Sequence, residues 1–295
     1  MYAPPPMPPV TVVSDTTGYL PVEVVEANGI RLVSLYVNFG GERTERESDL
    51  TDYEAFYEEL RTADALPTTS QPSIGDFIAV YEPLLAEGRD VVSVHLSAGI
   101  SGTAEAARQA KEALERDGRG GERVHVVDSA TAAGGLGLVA LAAARRAMGG
   151  GDAQAVIETA RGAREELKMW FAIDTLEFLK RSGRIGAASA WIGSTLKIKP
   201  ILTLEAEITP VERVRTSTRM FERLVDYARQ REASGAHGWV VQHIQAAEQA
   251  NRLAEECREI FGREPVFFSE VGPVLGAHTG PGLLGVGSIP ERYLA

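Results

Sequence analysis

One segment limits the fold of this chain more than any other: "RDVVSVHLSAGISGTAEAARQAKEALERDG", residues 89–118. A β-branched run, "DVVSV", leads into "HLSAGISGT" (His95 to Thr103), which packs two serines, a threonine, two glycines and a histidine into nine residues. An alanine-rich stretch of helical period follows and ends at a glycine. A strand that leaves through a helix can rejoin its sheet only by a crossover, so repeats of this unit build a largely parallel sheet.

Other segments repeat the unit. "VTVVSDTT" reads as a buried strand running into a polar loop, and "IRLVSLYVNF" as one further strand followed by a charged, glycine-bearing hairpin or loop. Tyr53, Phe56, Tyr57 and Leu60 fall at helical spacing, with Asp49 or Thr51 as cap. "PTTSQPS" reads as a loop, and its Ser73 as the cap of the helix "IGDFIAVYEPLLAEG". "RVHVVDS" is a strand, "GLGLVALAAARRAMGGG" a buried helix, and "DAQAVIETARGAREEL" an amphipathic helix capped by Asp152. From about Met169 the pattern becomes mixed: strands at "WFAID", "PILTL", "EITPVERVRT", "GWVVQHI" and "PVFFSEV", with helices at "TRMFERLVDYARQRE" and "AAEQANRLAEECREIFG". The expected organisation is a proline-rich tail at 1–10, a mostly parallel α/β domain at 11–165, and an α+β domain at 166–295.

At 44% hydrophobic and 24% charged, the 295 residues can bury real cores. A formal charge of −11 argues against nucleic acid, whose phosphates need clustered positive charge. Cys257 is the lone cysteine, which excludes an internal disulfide and suits a reducing, cytoplasmic setting; in its helical context it reads as a buried, inert thiol. No apolar run reaches the ~18–20 residues of a membrane span, and the N-terminal stretch lacks the features of a signal peptide.

Three familiar motifs fail on context. "GPGLLG" (Gly280 to Gly285) matches G-x-G-x-x-G but lacks the following helix and distal acid of a dinucleotide site; it reads as a glycine-rich connection between strands. "STLK" (Ser194 to Lys197) lacks the companion elements of a serine–lysine enzyme. In "HLSAGISGT", Gly99 and Ser101 give G-x-S-G, with Thr103 where a nucleophile elbow needs its last glycine. What remains is a set of hydroxyl-rich loops after the strands: Ser14–Thr17, Thr68–Ser70, Ser97–Thr103 and Asp128–Thr131. Such loops suit an anionic head group, and equally suit ordinary helix caps. His95, His125, His237 and His243 lie in or beside strands, whereas His278 stands between glycines in "GPVLGAHTGPG". Lys180, Arg181 and Arg184 surround Gly183 in a turn, as solvated surface or as a docking or phosphate-facing patch.

The motifs "VSDTTGYLP", "TSQPSIGDF", "HLSAGISGT", "VVDSATAAGGLG", "DTLEFLKRSGRIG", "LKIKPIL", "VRT" and "GPVLGAHTGPG" occur in one order over nearly the whole chain. In this the chain resembles the DegV family of bacterial fatty-acid-binding proteins, of the type called FakB. The resemblance implies a two-domain α/β protein with a fatty-acid tunnel and one long-chain fatty acid as ligand, without another cofactor or a metal. It also implies a protein partner, a separate ATP-dependent kinase subunit that receives the carboxylate and forms an acyl-phosphate for phospholipid synthesis. Carried over by motif, Thr69, Ser70, Ser97, Gly99 and Ser101 would bind the carboxylate. His278, counted with the ligand-binding residues, and Arg215 would stand at the mouth of the site, and Arg184 and Arg215 would serve phosphoryl transfer or kinase docking. The family usually reads S-S-G-L-S-G-T, and here the second serine is Ala98, so Ser97 or Ser101 must supply the donor. Two other readings stay open from the residues: a serine esterase or thioesterase using Ser97 or Ser101 with His95 or His278, and a regulatory module sensing a small polar ligand.

Overall fold

The β-branched runs all form strands, though not in one sheet. The computed structural model describes residues 9–41, 43–62, 65–191 and 198–295, so Ser194, Lys197 and most of the proline-rich tail lie outside the described residues. The first half runs β1 (Val10–Asp15), α1 (Val22–Ala27), β2 (Arg31–Val33), β3 (Tyr36–Phe39), β4 (Arg43–Arg46), α2 (Tyr53–Thr62) and β5 (Thr68–Ser70). It continues through α3 (Ile74–Ala86), β6 (Asp90–His95), α4 (Thr103–Arg116), β7 (Val124–Asp128), α5 (Ala133–Met148) and α6 (Ala153–Glu166). β2, β1, β6 and β7 lie side by side in that order, every neighbour parallel.

The second half runs β8 (Lys168–Ala172), α7 (Glu177–Arg181), β9 (Lys199–Glu205), β10 (Glu207–Val214) and α8 (Ser217–Ala233). It ends with β11 (Gly238–His243), α9 (Ala247–Phe261), β12 (Phe267–Glu270), α10 (Pro273–Thr279) and β13 (Leu284–Ile289). Its sheet has the order β10-β9-β8-β13-β11-β12 and is antiparallel except where β11 meets β12. The class is therefore α/β, with a parallel sheet in the first part and an α+β second part, as the sequence predicts.

The layers follow from side-chain chemistry. α3 and α4 cover one face of the parallel sheet, and α5 and α6 the other; α8 and α9 cover the outer face of the mixed sheet. α5 packs on β1 and β6 of the first sheet and on β11 and β13 of the second. A helix covered on both sides must be apolar all round, and "AGGLGLVALAAARRAM" is buried along almost its whole length, with Arg145 and Arg146 confined to its end. Cys257 is fully buried in α9, where burial pushes its thiol up to about 12.

Four local expectations are corrected. "IRLVSLYVNF" is two strands: β2 pairs with β1, then the chain breaks at Ser34–Leu35, and β3 joins β4 and β5 in a separate antiparallel sheet. Alternating apolar residues cannot distinguish a continuous strand from one that changes sheets. "TTS" is strand β5 rather than loop, with Thr69 opposite Val37. Asp52, rather than Asp49 or Thr51, caps α2, accepting the Ala55 N–H at 2.9 Å. "GPVLGAHTG" contains α10, so "GPGLLG" joins a helix to β13 rather than two strands. Ser73 caps α3 as expected, in a reciprocal pair with Asp76.

Candidate functional site

Between the two sheets lies a cavity with an empty volume of about 970 Å³, its open mouth included. Its walls are mainly apolar: Leu96 and Ile100 after β6, Met169 and Phe171 of β8, Leu204 of β9 and Leu283 before β13. The mixed sheet supplies a floor whose shape can be read from register. Gln242 pairs with Gly285, and Gly285 with Phe171, so these three cavity-lining residues form a row across β11, β13 and β8. Gly285 leaves a trough in the middle of that row. Glycine inside a central strand weakens it and marks a close approach.

Polar groups collect on one part of the wall. Thr69 Oγ1 and His278 Nε2 are 2.7 Å apart, joining β5 to the last turn of α10. Ser70, Gln71 and Ser101 line the same cavity. A Cβ at Gly102 would stand 2.8 Å from the Gln71 amide nitrogen, so the Ser101–Gly102 turn abuts the strand that carries Thr69. The Ser101 hydroxyl pairs with Thr103 Oγ1 at 2.9 Å at the start of α4.

His278 has its pKa lowered to about 4, chiefly by burial and secondarily by the nearby Arg184 guanidinium. At neutral pH the ring is uncharged and offers one N–H and one lone pair. Its Nδ1 is buried without a partner. If Thr69 donates to Nε2, the Nδ1–H is uncommitted; if Nε2–H donates, the Thr69 hydroxyl proton is uncommitted. Either tautomer therefore leaves this pair one uncommitted donor, the Thr69 hydroxyl in one case and the buried His278 Nδ1–H in the other.

α10 is positioned from the first half of the chain. Glu47, 3% exposed, accepts from the Val274 N–H at 2.8 Å and from the Tyr19 hydroxyl at 2.7 Å, and also bonds Thr16. The Tyr57 hydroxyl donates to the Val271 carbonyl at 2.7 Å. Burial raises the Glu47 pKa, while its hydrogen bonds oppose the rise. Pro273 at the first turn and Gly280 with φ 73° just past the last were the available sequence signals for this helix.

The structure separates the two serines proposed for the head group. Ser101 lines the cavity. Ser97 is fully buried; its hydroxyl donates to the Ala206 carbonyl at 2.6 Å and accepts from the Gly99 N–H at 3.1 Å. Ala206 is the turn between β9 and β10, and its N–H donates to the Ala130 carbonyl at 2.8 Å. A Cβ at Gly99 would lie 2.3 Å from the Ala206 carbonyl oxygen, so this glycine serves the contact between the halves. Arg184 lines the cavity and is exposed, bonding the Ser182 carbonyl at 2.7 Å. Arg215 is exposed between β10 and α8 and is not among the residues lining the cavity. Gln71, Gln242 and Thr279 line it without having been singled out.

The esterase reading loses its base. His95, the last residue of β6, is fully buried, with Nε2 on Ser93 Oγ at 2.6 Å and Nδ1 on Asp15 at 3.0 Å. Tyr81 extends that chain through Ser93 at 2.7 Å. These residues have the composition of a catalytic triad but lie inside the protein. His278 meets Thr69, not Ser97 or Ser101. Among the described residues no group of three or more His, Cys, Asp and Glu side chains is disposed to hold a metal ion, and no helix is long and apolar enough to cross a membrane.

Comparison with known proteins agrees with this architecture. Residues 9–291 match the family described as "Uncharacterised protein, DegV family". A DegV domain-containing protein of Streptomyces coelicolor is 39% identical over 280 residues, 94% of this chain and 97% of the relative. Among solved structures, a DegV family protein from Thermus thermophilus described by its fatty acid binding is 33% identical, with a TM-score of 0.83 over 95% of this chain and 99% of its own. DegV from Bacillus subtilis, described as a fatty acid binding protein, is 33% identical, with a TM-score of 0.84 over 96% and 99%.

Proposed function

The chain belongs to the DegV family, and from that premise we propose that it binds one long-chain fatty acid in the cavity between its sheets. The observation that carries the reading is an apolar cavity walled at one place by Thr69, Ser70, Ser101 and His278. A buried methylene contributes about 0.8 kcal/mol, so a long acyl chain gains most of its affinity from the Leu, Ile, Met and Phe walls. Its carboxylate must be hydrogen-bonded in a dry site. Neutral hydroxyls meet that requirement, the Thr69 hydroxyl being free to donate when the His278 Nε2–H donates to it. Ser101, rather than Ser97, is the serine of "HLSAGISGT" assigned to the head group.

The finer reading is that of a FakB-type, cytoplasmic carrier that presents the carboxylate to a separate ATP-dependent kinase subunit. Arg184 supports it: an exposed cation at the cavity, near enough to act on His278, suits the added charge of an acyl-phosphate. Arg215, away from the lining, would contribute through contact with the partner protein.

Mass spectrometry of solvent extracts from the purified protein tests the binding reading, with a stoichiometric long-chain fatty acid expected. A ligand-free protein that also fails to bind added oleate or palmitate would overturn it. For the finer reading, mixing the loaded protein with a fatty acid kinase subunit and ATP should yield an acyl-phosphate trappable as the hydroxamate. Arg184→Ala should lower that yield without lowering fatty-acid binding.

A further inference from the structure

Away from the cavity between the sheets, β1, β2 and the segment leading into α2 line a groove of about 820 Å³, open solvent included. Its apolar wall is Leu20, Leu32, Leu50 and Tyr53. Leu32, on the edge strand β2, is 39% exposed. Thr51 and Tyr53 also line a second depression, of about 1090 Å³ on the same basis, which adds Asp52, Glu54, His243 and Glu270. The two make one continuous groove, apolar at one end and acidic at the other, and it shares no lining residue with the cavity. Among the described residues no Lys or Arg lines either part. Asp52 caps α2, Glu54 has no ion-pair partner among the described residues, and the ionic neighbour of Glu270 is His243, 3.9 Å away. Burial lowers the His243 pKa against the opposing effect of Glu270, so at neutral pH the imidazole is uncharged and does not neutralise that carboxylate.

We propose that this groove docks a basic amphipathic segment of another protein. Its apolar side chains would cover Leu20, Leu32, Leu50 and Tyr53, and its Lys or Arg side chains would meet Asp52, Glu54 and Glu270. Charge complementarity names the occupant: carboxylates without a cation beside an exposed apolar wall select a partner that carries both features. A free polyamine would leave the apolar wall uncovered, and an anionic lipid surface would be repelled. Tyr19 and Glu47, which bond the Leu275 and Val274 N–H groups, also line the groove. The docked segment would therefore rest against the anchor of α10, the helix that carries His278. The proposal does not depend on the fatty-acid reading.

The test is selection of random dodecapeptides displayed on phage against the purified protein, then fluorescence anisotropy with the most enriched peptide, synthesised and labelled. Enriched peptides are expected to carry apolar residues adjoining Lys or Arg. Leu32→Ser at the apolar end and Glu54→Lys at the acidic end should each weaken the labelled peptide about tenfold. Both positions are exposed, so thermal melting should stay that of the unaltered protein. If no peptide is enriched, if the enriched peptides lack Lys and Arg, or if either variant binds like the unaltered protein, the docking surface is wrongly assigned. If serine in place of the peptide's apolar residues leaves its affinity unchanged, the groove is a cation site and the proposal falls. Should a variant not fold, the serine-substituted peptide and one with Glu in place of Lys and Arg decide on the unaltered protein, where both should bind more weakly.

Discussion

Replacing Ser97 and Ser101 separately by alanine should dissociate stability from binding. The Ser97 hydroxyl donates to the Ala206 carbonyl at 2.6 Å from a fully buried position, on a turn that also meets Ala130. Ser97→Ala leaves that carbonyl short of a donor, at a cost of about 1–3 kcal/mol. For a chain of this size each kcal/mol lowers the Tm by roughly 2 °C, so a drop of about 2–6 °C is expected in thermal denaturation. Fatty-acid affinity, measured by displacement of a fluorescent fatty acid, should stay close to that of the unaltered protein. Ser101→Ala, by contrast, should weaken binding. Ser101 lines the cavity beside the Thr69 segment, and loss of a hydrogen bond to a charged carboxylate costs about 1.5–3 kcal/mol. That corresponds to roughly a 10- to 150-fold weaker Kd, and the Tm should fall as well, because the buried Thr103 hydroxyl and N–H lose the Ser101 oxygen. If Ser97→Ala weakens binding while the Tm stays constant, the assignment of the two serines is refuted.

Gly285→Val should shorten the ligand accepted: a Cβ there stands 3.2 Å from Phe171 Cβ, and the rest of the side chain occupies the trough. Affinity should fall by roughly fourfold per excluded methylene, more for long than for short fatty acids in the same displacement assay. Glu47→Ala should lower stability by about 2–4 kcal/mol in urea denaturation, because it strands the Tyr19 hydroxyl and the Val274 N–H; Glu47→Gln, which keeps an acceptor, should cost less. Ligand affinity should fall with Glu47→Ala as α10 loses its anchor. His278 titrates at about 4 in the folded state against 6.5 in the unfolded chain, so the unfolded state binds more protons between these values. Stability should therefore rise as the pH goes from about 4 to 6.5, and His278→Gln should flatten that part of the urea-denaturation profile.

What could be read from the sequence was local. The β6–α4 unit, the Ser73 cap and the all-apolar helix α5 carry their signals within a few residues. The break at Ser34–Leu35 carries none, because β2 and β3 differ only in which distant strands they meet. The choice between Ser97 and Ser101 was closed to sequence reasoning for a similar reason, since the partner of Ser97 is Ala206, 109 residues away. Gln242 had a weak signal, a lone amide in the apolar strand "GWVVQHI", and Gly285 and Gly287 in "LGVGSI" were another. Neither discloses a cavity until β8, β11 and β13 are placed side by side.

The position of α5 between the sheets bears on how the molecule unfolds. One continuous core runs from Val10 to Leu294 through this helix, so neither sheet can lose α5 without exposing its own inner face. Although we propose a division near residue 165, fragments cut there should behave as collapsed, dye-binding chains rather than folded domains, and the intact chain should melt in a single cooperative step. A ligand held between the sheets then stabilises every element at once. Its occupancy should appear as slower amide hydrogen exchange in β1 and β12 alike, far beyond the residues it touches.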